Sequence, residues 1–124
     1  MRTPSQRAGD EAEAWVATRL TAQGWRVLDS HFRVGRAEID ILAVDPGPPA
    51  ALVAVEVRWR ARRDFGLPEE TVDHRKRAQL HRAGFALRDL GHLPNGLAIP
   101  NLPLRFDLVV VEPHGRLRHH RYGA

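Results

Sequence analysis

At 124 residues, with 43% hydrophobic and 27% charged side chains, the chain has the size and composition of one domain around a single core. It contains no cysteine, which excludes disulfides and thiolate metal sites, and no apolar run approaches the roughly 18 residues of a membrane span. The net charge is +4, the sequence pI is about 10.9, and Lys76 is the only lysine, so arginine carries almost all the positive charge. That balance suits a polyanion such as nucleic acid, or else a solvated arginine-rich surface. The first residues, Met-Arg-Thr-Pro-Ser-Gln-Arg, have no apolar segment behind them. They do not read as a signal peptide, and the expected location is cytoplasmic, with no membrane partner.

In chain order, residues 1–7 read as a flexible arm and residues 8–23 as a helix. Ala12, Trp15, Val16 and Leu20 share one face at helical spacing, and Gly24 is the stop. Glu13 lies at the margin of that stripe. It is either an ordinary exposed carboxylate near a helix start or one that reaches into a site. Trp25 to Val34 reads as a first strand, with Val27, Leu28 and Phe32 as core residues. Gly35 turns the chain into a second strand that ends near Val44, and Asp45-Pro-Gly-Pro-Pro is a loop. A third strand runs from Leu52 to Arg60, followed by a basic connection over residues 61–67.

Residues 68–90 read as a long helix, opened by Pro68, Glu69 and Glu70. Val72, Leu80, Ala83, Leu87 and Leu90 supply its apolar face, and Gly84 weakens it slightly. Residues 91–104 form a loop, residues 105–112 a fourth strand, and residues 113–124 a basic tail that is either disordered or a short edge strand. The order helix, three strands, helix, strand describes an α/β sandwich with a mixed sheet of four to five strands flanked by helices.

Acid stands where a core should have none. The second strand reads Arg-Ala-Glu-Ile-Asp-Ile-Leu-Ala-Val and the third Ala-Leu-Val-Ala-Val-Glu-Val-Arg-Trp-Arg. Strict alternation places Glu38, Asp40 and Leu42 on one face, with Ile39 and Ile41 on the other. In the third strand Glu56 and Arg58 share a face opposite Val53, Val55, Val57 and Trp59; Trp59 either stacks on a base or, as its face indicates, belongs to the core. If the strands are neighbours, Asp40, Glu56 and Arg58 meet in one patch. Buried carboxylates are costly alone, and a divalent cation relieves that cost. Hydrolysis of a phosphodiester needs these parts: hard oxygen ligands for Mg²⁺ or Mn²⁺, an activated water, and a cation for developing charge. The bland alternative is that Asp40 caps a strand end and Glu56 pairs with Arg58 or Arg60. Glu38 equally suits a salt bridge to Arg36 or Arg60. Arg60, Arg62, Arg63, Lys76 and Arg77 either contact a phosphate backbone or form a solvated surface. The adjacent His119 and His120 read as solvated rather than metal-binding.

Asp followed, after a turn, by Glu-x-Lys at the end of an apolar strand is the signature of the PD-(D/E)xK nucleases. The chain as a whole resembles the YraN-like family of bacterial proteins, itself similar in fold to archaeal Holliday-junction resolvases. Gly9, Ala12, Glu13 and Leu20 match the family's opening block, with Ala12 in place of a glycine. Ala37, Glu38, Ile39, Asp40 and Ile41 match its Gly-Glu-Ile-Asp-Leu block, and Val55 to Arg60 match Val-Glu-Val-Lys/Arg-x-Arg. Gly66, Pro68 and Lys76 match the second helix and its approach, and Arg105, Phe106 and Asp107 the opening of the last strand. The resemblance spans residues 8–112. It implies a restriction-endonuclease-like fold in which Asp40, Glu56 and the carbonyl of Val57 hold the metal. It also implies that Glu13 completes the acidic cluster and that Arg58 occupies a position usually held by lysine.

An arginine is never deprotonated under these conditions, so Arg58 cannot serve as a general base, although it can hold phosphate or stabilise charge. Two functions are therefore expected in competition. One is a Mg²⁺- or Mn²⁺-dependent deoxyribonuclease acting on DNA, with branched or junction structures as one substrate option and a homodimer as one assembly, the latter by fold analogy alone. The other is a nucleic-acid-binding or scaffold protein on a nuclease fold with little or no catalysis.

Overall fold

A computed structural model of the chain describes residues 3–59 and 74–123. Helix α1 (Pro4–Ala22) comes first, then strands β1 (Arg26–Val34), β2 (Ala37–Asp45) and β3 (Ala51–Trp59). Helix α2 (His74–Leu90), β4 (Leu104–Glu112) and β5 (Arg116–Gly123) complete the order. The α/β sandwich with a mixed sheet is thus present, with five strands in the order β1-β2-β3-β4-β5. The β1, β2 and β3 ladders are antiparallel, β3 and β4 are parallel, and β5 returns antiparallel to β4. A parallel pair requires the chain to travel back along the sheet between its strands, and α2 lies in that return. The architecture fits the restriction-endonuclease-like sandwich.

Helix α1 starts at Pro4, so residues 4–7 are helical rather than part of a loose arm. The cause is local. The Thr3 hydroxyl accepts from the Gln6 N–H at 3.1 Å, and the Gln6 side chain accepts from the Thr3 N–H at 2.8 Å. This reciprocal capping, with Pro4 in the first turn, fixes the helix start four residues earlier than the apolar periodicity does. The tail is the edge strand β5 rather than a disordered segment. Its Arg118 meets the buried Glu112 of β4 at 2.6 Å.

Each face of the sheet has its own core. Ala12, Val16 and Leu20 of α1 pack with Trp25, Ile41, Ala43, Val53, Val55, Val109 and Val111. Ala83 and Leu87 of α2 pack with Leu28, Phe32, Ile39, Leu42, Leu52, Ala54, Leu104 and Phe106 on the other face. Val27 belongs to the α1 side and is only partly buried. Gly84 lets α2 approach β4, because a methyl group there would collide with the side chains of Leu104 and Phe106. The helix cost of this glycine is offset by that closeness. Leu90 is 64% exposed, so the apolar stripe of α2 ends at Leu87 rather than at Leu90. Val72 and residues 68–73 of the expected helix lie outside the described residues, as does the side chain of Leu80.

Two isoleucines expected on one face enter opposite cores: Ile39 on the α2 side and Ile41 on the α1 side. Phe32 pairs with Ile39 and Ser30 with Ile41, so the pleat reverses between these pairs, at His31 on β1 and Asp40 on β2. His31 has a φ of 53°, the left-handed region, which costs an L-residue roughly 1–2 kcal/mol. Strict period-2 reading cannot see such an interruption. Trp59 is likewise on the expected face but 45% exposed, and not a core residue.

Candidate functional site

The β1–β2 hairpin closes through Gly35 and Arg36, with Val34 paired to Ala37 and Gly35 at a φ of 61°. A glycine at the first of two turn positions suits the twist of the strands, and it leaves Arg36 exposed at the hairpin tip. On its other side β2 pairs with β3 from Ile41 opposite Val55 to Asp45 opposite Ala51. Beyond Val55 the pairing stops, and the Asp40 carboxylate takes over from the ladder, accepting from the Val57 N–H at 2.8 Å. The space opened there is a cleft of about 480 Å³, lined by Arg33, Arg36, Ala37, Glu38, Asp40, Glu56, Val57, Arg58, Trp59 and Gln79.

Its floor is acidic. Burial is the largest influence on Asp40 and raises its pKa, the Val57 N–H opposes this, and the Glu13 and Glu56 charges raise it further, to about 7. A side-chain hydrogen bond with Glu13 adds to the rise, one carboxyl donating its proton to the other. Glu56 is 7% exposed, and its Oε1 lies 3.5 Å from the Arg58 guanidinium. Glu13 comes from α1, where the helical repeat that buries Ala12 and Val16 against the sheet turns it towards Asp40. Glu13, Asp40, Glu56 and Arg58 are therefore brought together from three elements. The Glu56–Arg58 pairing expected as an alternative is present alongside the acidic cluster and does not replace it.

Reasoning from sequence passed over several neighbours. His31 places Nδ1 at 3.4 Å from Glu13 and 3.3 Å from Glu38, with no signal in its surroundings to announce it. Arg33 and Arg36 line the cleft because a two-residue turn folds them back over it, and Gln79 reaches it from α2. Arg60, Arg62 and Arg63, expected to contact nucleic acid, lie outside the described residues, as do the side chains of Lys76 and Arg77. His119, expected to be solvated, instead places Nε2 at 2.7 Å from the buried Asp107.

The donor set is the kind a hard divalent cation takes: carboxylates from Asp40, Glu56 and Glu13, with the main-chain carbonyl of Val57 adjacent in sequence to Glu56. Among the described residues no group of three or more histidine, cysteine, aspartate or glutamate side chains is placed so that it could hold a metal ion by itself. The Asp40 pKa is raised first by burial and then by the neighbouring Glu13 and Glu56 charges. The arginines above it suit a phosphate backbone. Among the described residues no helix is long and apolar enough to cross a membrane.

Residues 12–111 match the model of a family described as "Uncharacterised protein family UPF0102". A UPF0102 protein of Symbiobacterium thermophilum is 41% identical over 117 residues, covering 92% of this chain and 91% of the relative. One from Moorella thermoacetica is 39% identical over 111 residues, covering 90% and 85%. One from Pseudomonas syringae pv. syringae is 34% identical over 111 residues, covering 90% and 84%.

Proposed function

The chain belongs to the uncharacterised protein family UPF0102, and on the geometry of its cleft we propose that it is a cytoplasmic, metal-dependent endonuclease that hydrolyses DNA, branched or junction DNA above all. The observation that carries this reading is the position of Asp40. It lies between Glu13 and Glu56 at the floor of a cleft whose walls include Arg33, Arg36 and Arg58. Acid below and guanidinium above is the arrangement that a phosphodiester and its metal ion require together.

Asp40 and Glu56 would hold the ion, with Glu13 and the Val57 carbonyl in support. A bound Mg²⁺ or Mn²⁺ supplies a polarised phosphoryl oxygen and a water of lowered pKa. The Val57 N–H holds one Asp40 oxygen in place. Arg58 is placed against Glu56 and can swing a charge-assisted hydrogen bond to the phosphate as negative charge develops. It takes no proton. Glu13 shares a hydrogen bond with Asp40 and would steady it beside the ion. A homodimer with paired clefts would cut two strands of a junction in concert.

The 3.5 Å Arg58–Glu56 pair also favours a second reading, a DNA-binding protein without cleavage. In that case the arginine neutralises a carboxylate that a nuclease would devote to metal. The two readings separate on a labelled panel of single strand, duplex, flap and four-way junction, each with Mg²⁺, Mn²⁺ or chelator. The nuclease reading expects metal-dependent cutting that Asp40→Asn abolishes. Salt-sensitive binding with no cutting of any substrate would establish the second reading instead.

A further inference from the structure

The last two residues of β3 diverge in a way that the nuclease reading does not use. Arg58 follows Glu56 by two positions and shares its face of the sheet, towards the acidic floor. Trp59 follows Val55 and Val57 on the face packed by α1. There the indole is only partly covered, at 45% exposure. It forms a wall common to two cavities. One is the carboxylate cleft, and the other is a groove of about 220 Å³ walled by Trp15, Ala12 and Val111, with Glu11, Glu112 and His114 at its polar edge. This second groove is chiefly apolar and offers a second indole.

A nucleotide has the same two-sided character. Its phosphate is anionic and its base is a flat apolar surface, with the sugar between them. We propose that Trp59 is a base-stacking residue: it receives an unpaired or extruded base next to the scissile phosphate and passes it towards the Trp15 groove, so that the substrate class is DNA with an unstacked base at the cut site. This assignment rests on the nuclease reading of the adjacent cleft. The charge and shape agree with it. Arg33, Arg36 and Arg58 give the phosphate side of the partition, and Trp59 and Trp15 give the base side. A fully paired duplex has no free base face to offer an indole, whereas a bulge, a flap base or a junction core does. Stacking on one aromatic side chain is tolerant of base identity, so the preference concerns structure rather than sequence.

The test compares the full chain with Trp59→Phe and Trp59→Ala. Two DNAs of the same length are used, a perfect duplex and one with a single bulged 2-aminopurine, under chelator so that strands stay intact. Affinity and 2-aminopurine fluorescence are both read. The wild type should bind the bulged DNA about tenfold more tightly than the duplex and quench the probe. Trp59→Phe should keep most of the preference and the quenching. Trp59→Ala should lose both while its affinity for duplex stays within about twofold and its melting temperature is unchanged. Equal preference in wild type and Trp59→Ala, with DNA binding intact, would overturn the assignment and leave the nuclease reading standing. Failure of the wild type to bind any DNA would overturn both.

Discussion

Asp40 and Asp107 are aspartates on interior strands of one sheet, and their surroundings send them opposite ways. Asp107 is 1% exposed and fully answered by cations. Arg105 donates to it at 2.9 and 3.0 Å, and His119 lies 2.7 Å away on β5. Arg105 also reaches Asp45 at 2.9 Å, which ties the end of β2 to the start of β4. Its guanidinium stands over the Trp25 ring, 5.4 Å from the centroid. Burial would raise the Asp107 pKa, but the hydrogen bonds from His119 and Arg105 outweigh it and hold the carboxyl below its ordinary 3.8. Asp40 has burial without that compensation. Its neighbours are two carboxylates and one N–H, and its pKa rises to about 7. One network has its charges closed within the fold. In the other, the half-buried Asp40 carboxyl is crowded by Glu13 and Glu56, and its pKa stays raised.

The sharpest way to break this contrast is to remove each charge in turn. Asp107→Asn weakens the charge-assisted hydrogen bonds from Arg105, which keeps Asp45 as its other partner, and should cost about 1.5–3 kcal/mol in urea unfolding. Asp40→Asn relieves like-charge crowding and should leave stability unchanged at low pH and raise it at neutral pH. Equal losses in the two variants would mean that both clusters are structural.

The pH profiles should differ in sign. The folded pKa of Asp107 is lowered, so its contribution is present above the ordinary value of 3.8 and is lost as pH falls below it. Asp45 behaves alike: burial raises its pKa, but the Gly47 N–H and Arg105 prevail and lower it. For Asp40 the folded state keeps a proton that the unfolded chain has released, between 3.8 and about 7. Metal-free stability should therefore fall across that window as pH rises, by up to roughly 4 kcal/mol. Chelator-treated protein and Asp40→Asn, unfolded in urea from pH 4 to 8, check this. The mutant should lose the downward slope and keep the acid limb.

The smallest effects belong to the rim. Arg33→Ala and Arg36→Ala sit on the exposed hairpin and should change stability by no more than about 0.5 kcal/mol. Each should weaken DNA binding uniformly across sequences and lower the salt dependence by about one counterion. Fluorescence anisotropy between 50 and 200 mM salt, at roughly the range where such contacts dominate, reads both. An unchanged salt slope would remove the hairpin from the interface.

Much of the acidic network was legible because its signals are local. Asp40 and Glu56 are acids inside apolar strands, and Arg58 follows two positions on. The succession of elements along the chain was legible for the same reason, since each of the first four strands carries its own apolar run, whereas their pairing order was not. The closed network was not. Arg105 and Asp107 adjoin in sequence, but Asp45 is 60 residues from Arg105, and only the β3–β4 pairing brings them together. The exposure of Trp59 was hidden because periodicity assigns a face and says nothing of whether a helix covers it. The reversal at His31 and Asp40 was hidden because alternation assumes an uninterrupted pleat. The early start of α1 could have been read, since Thr3-Pro4-Ser5-Gln6 carries the capping pattern in four residues.

The central claim is that the charge left open around Asp40 is a metal site. Calorimetric titration of Mn²⁺ into metal-free wild type and Asp40→Asn at pH 7 tests it most directly. The account predicts a binding event in the wild type that releases protons, because metal displaces the proton held at Asp40, and at least about tenfold weaker binding in the mutant. Equal affinity in both proteins, with no proton release, would contradict it.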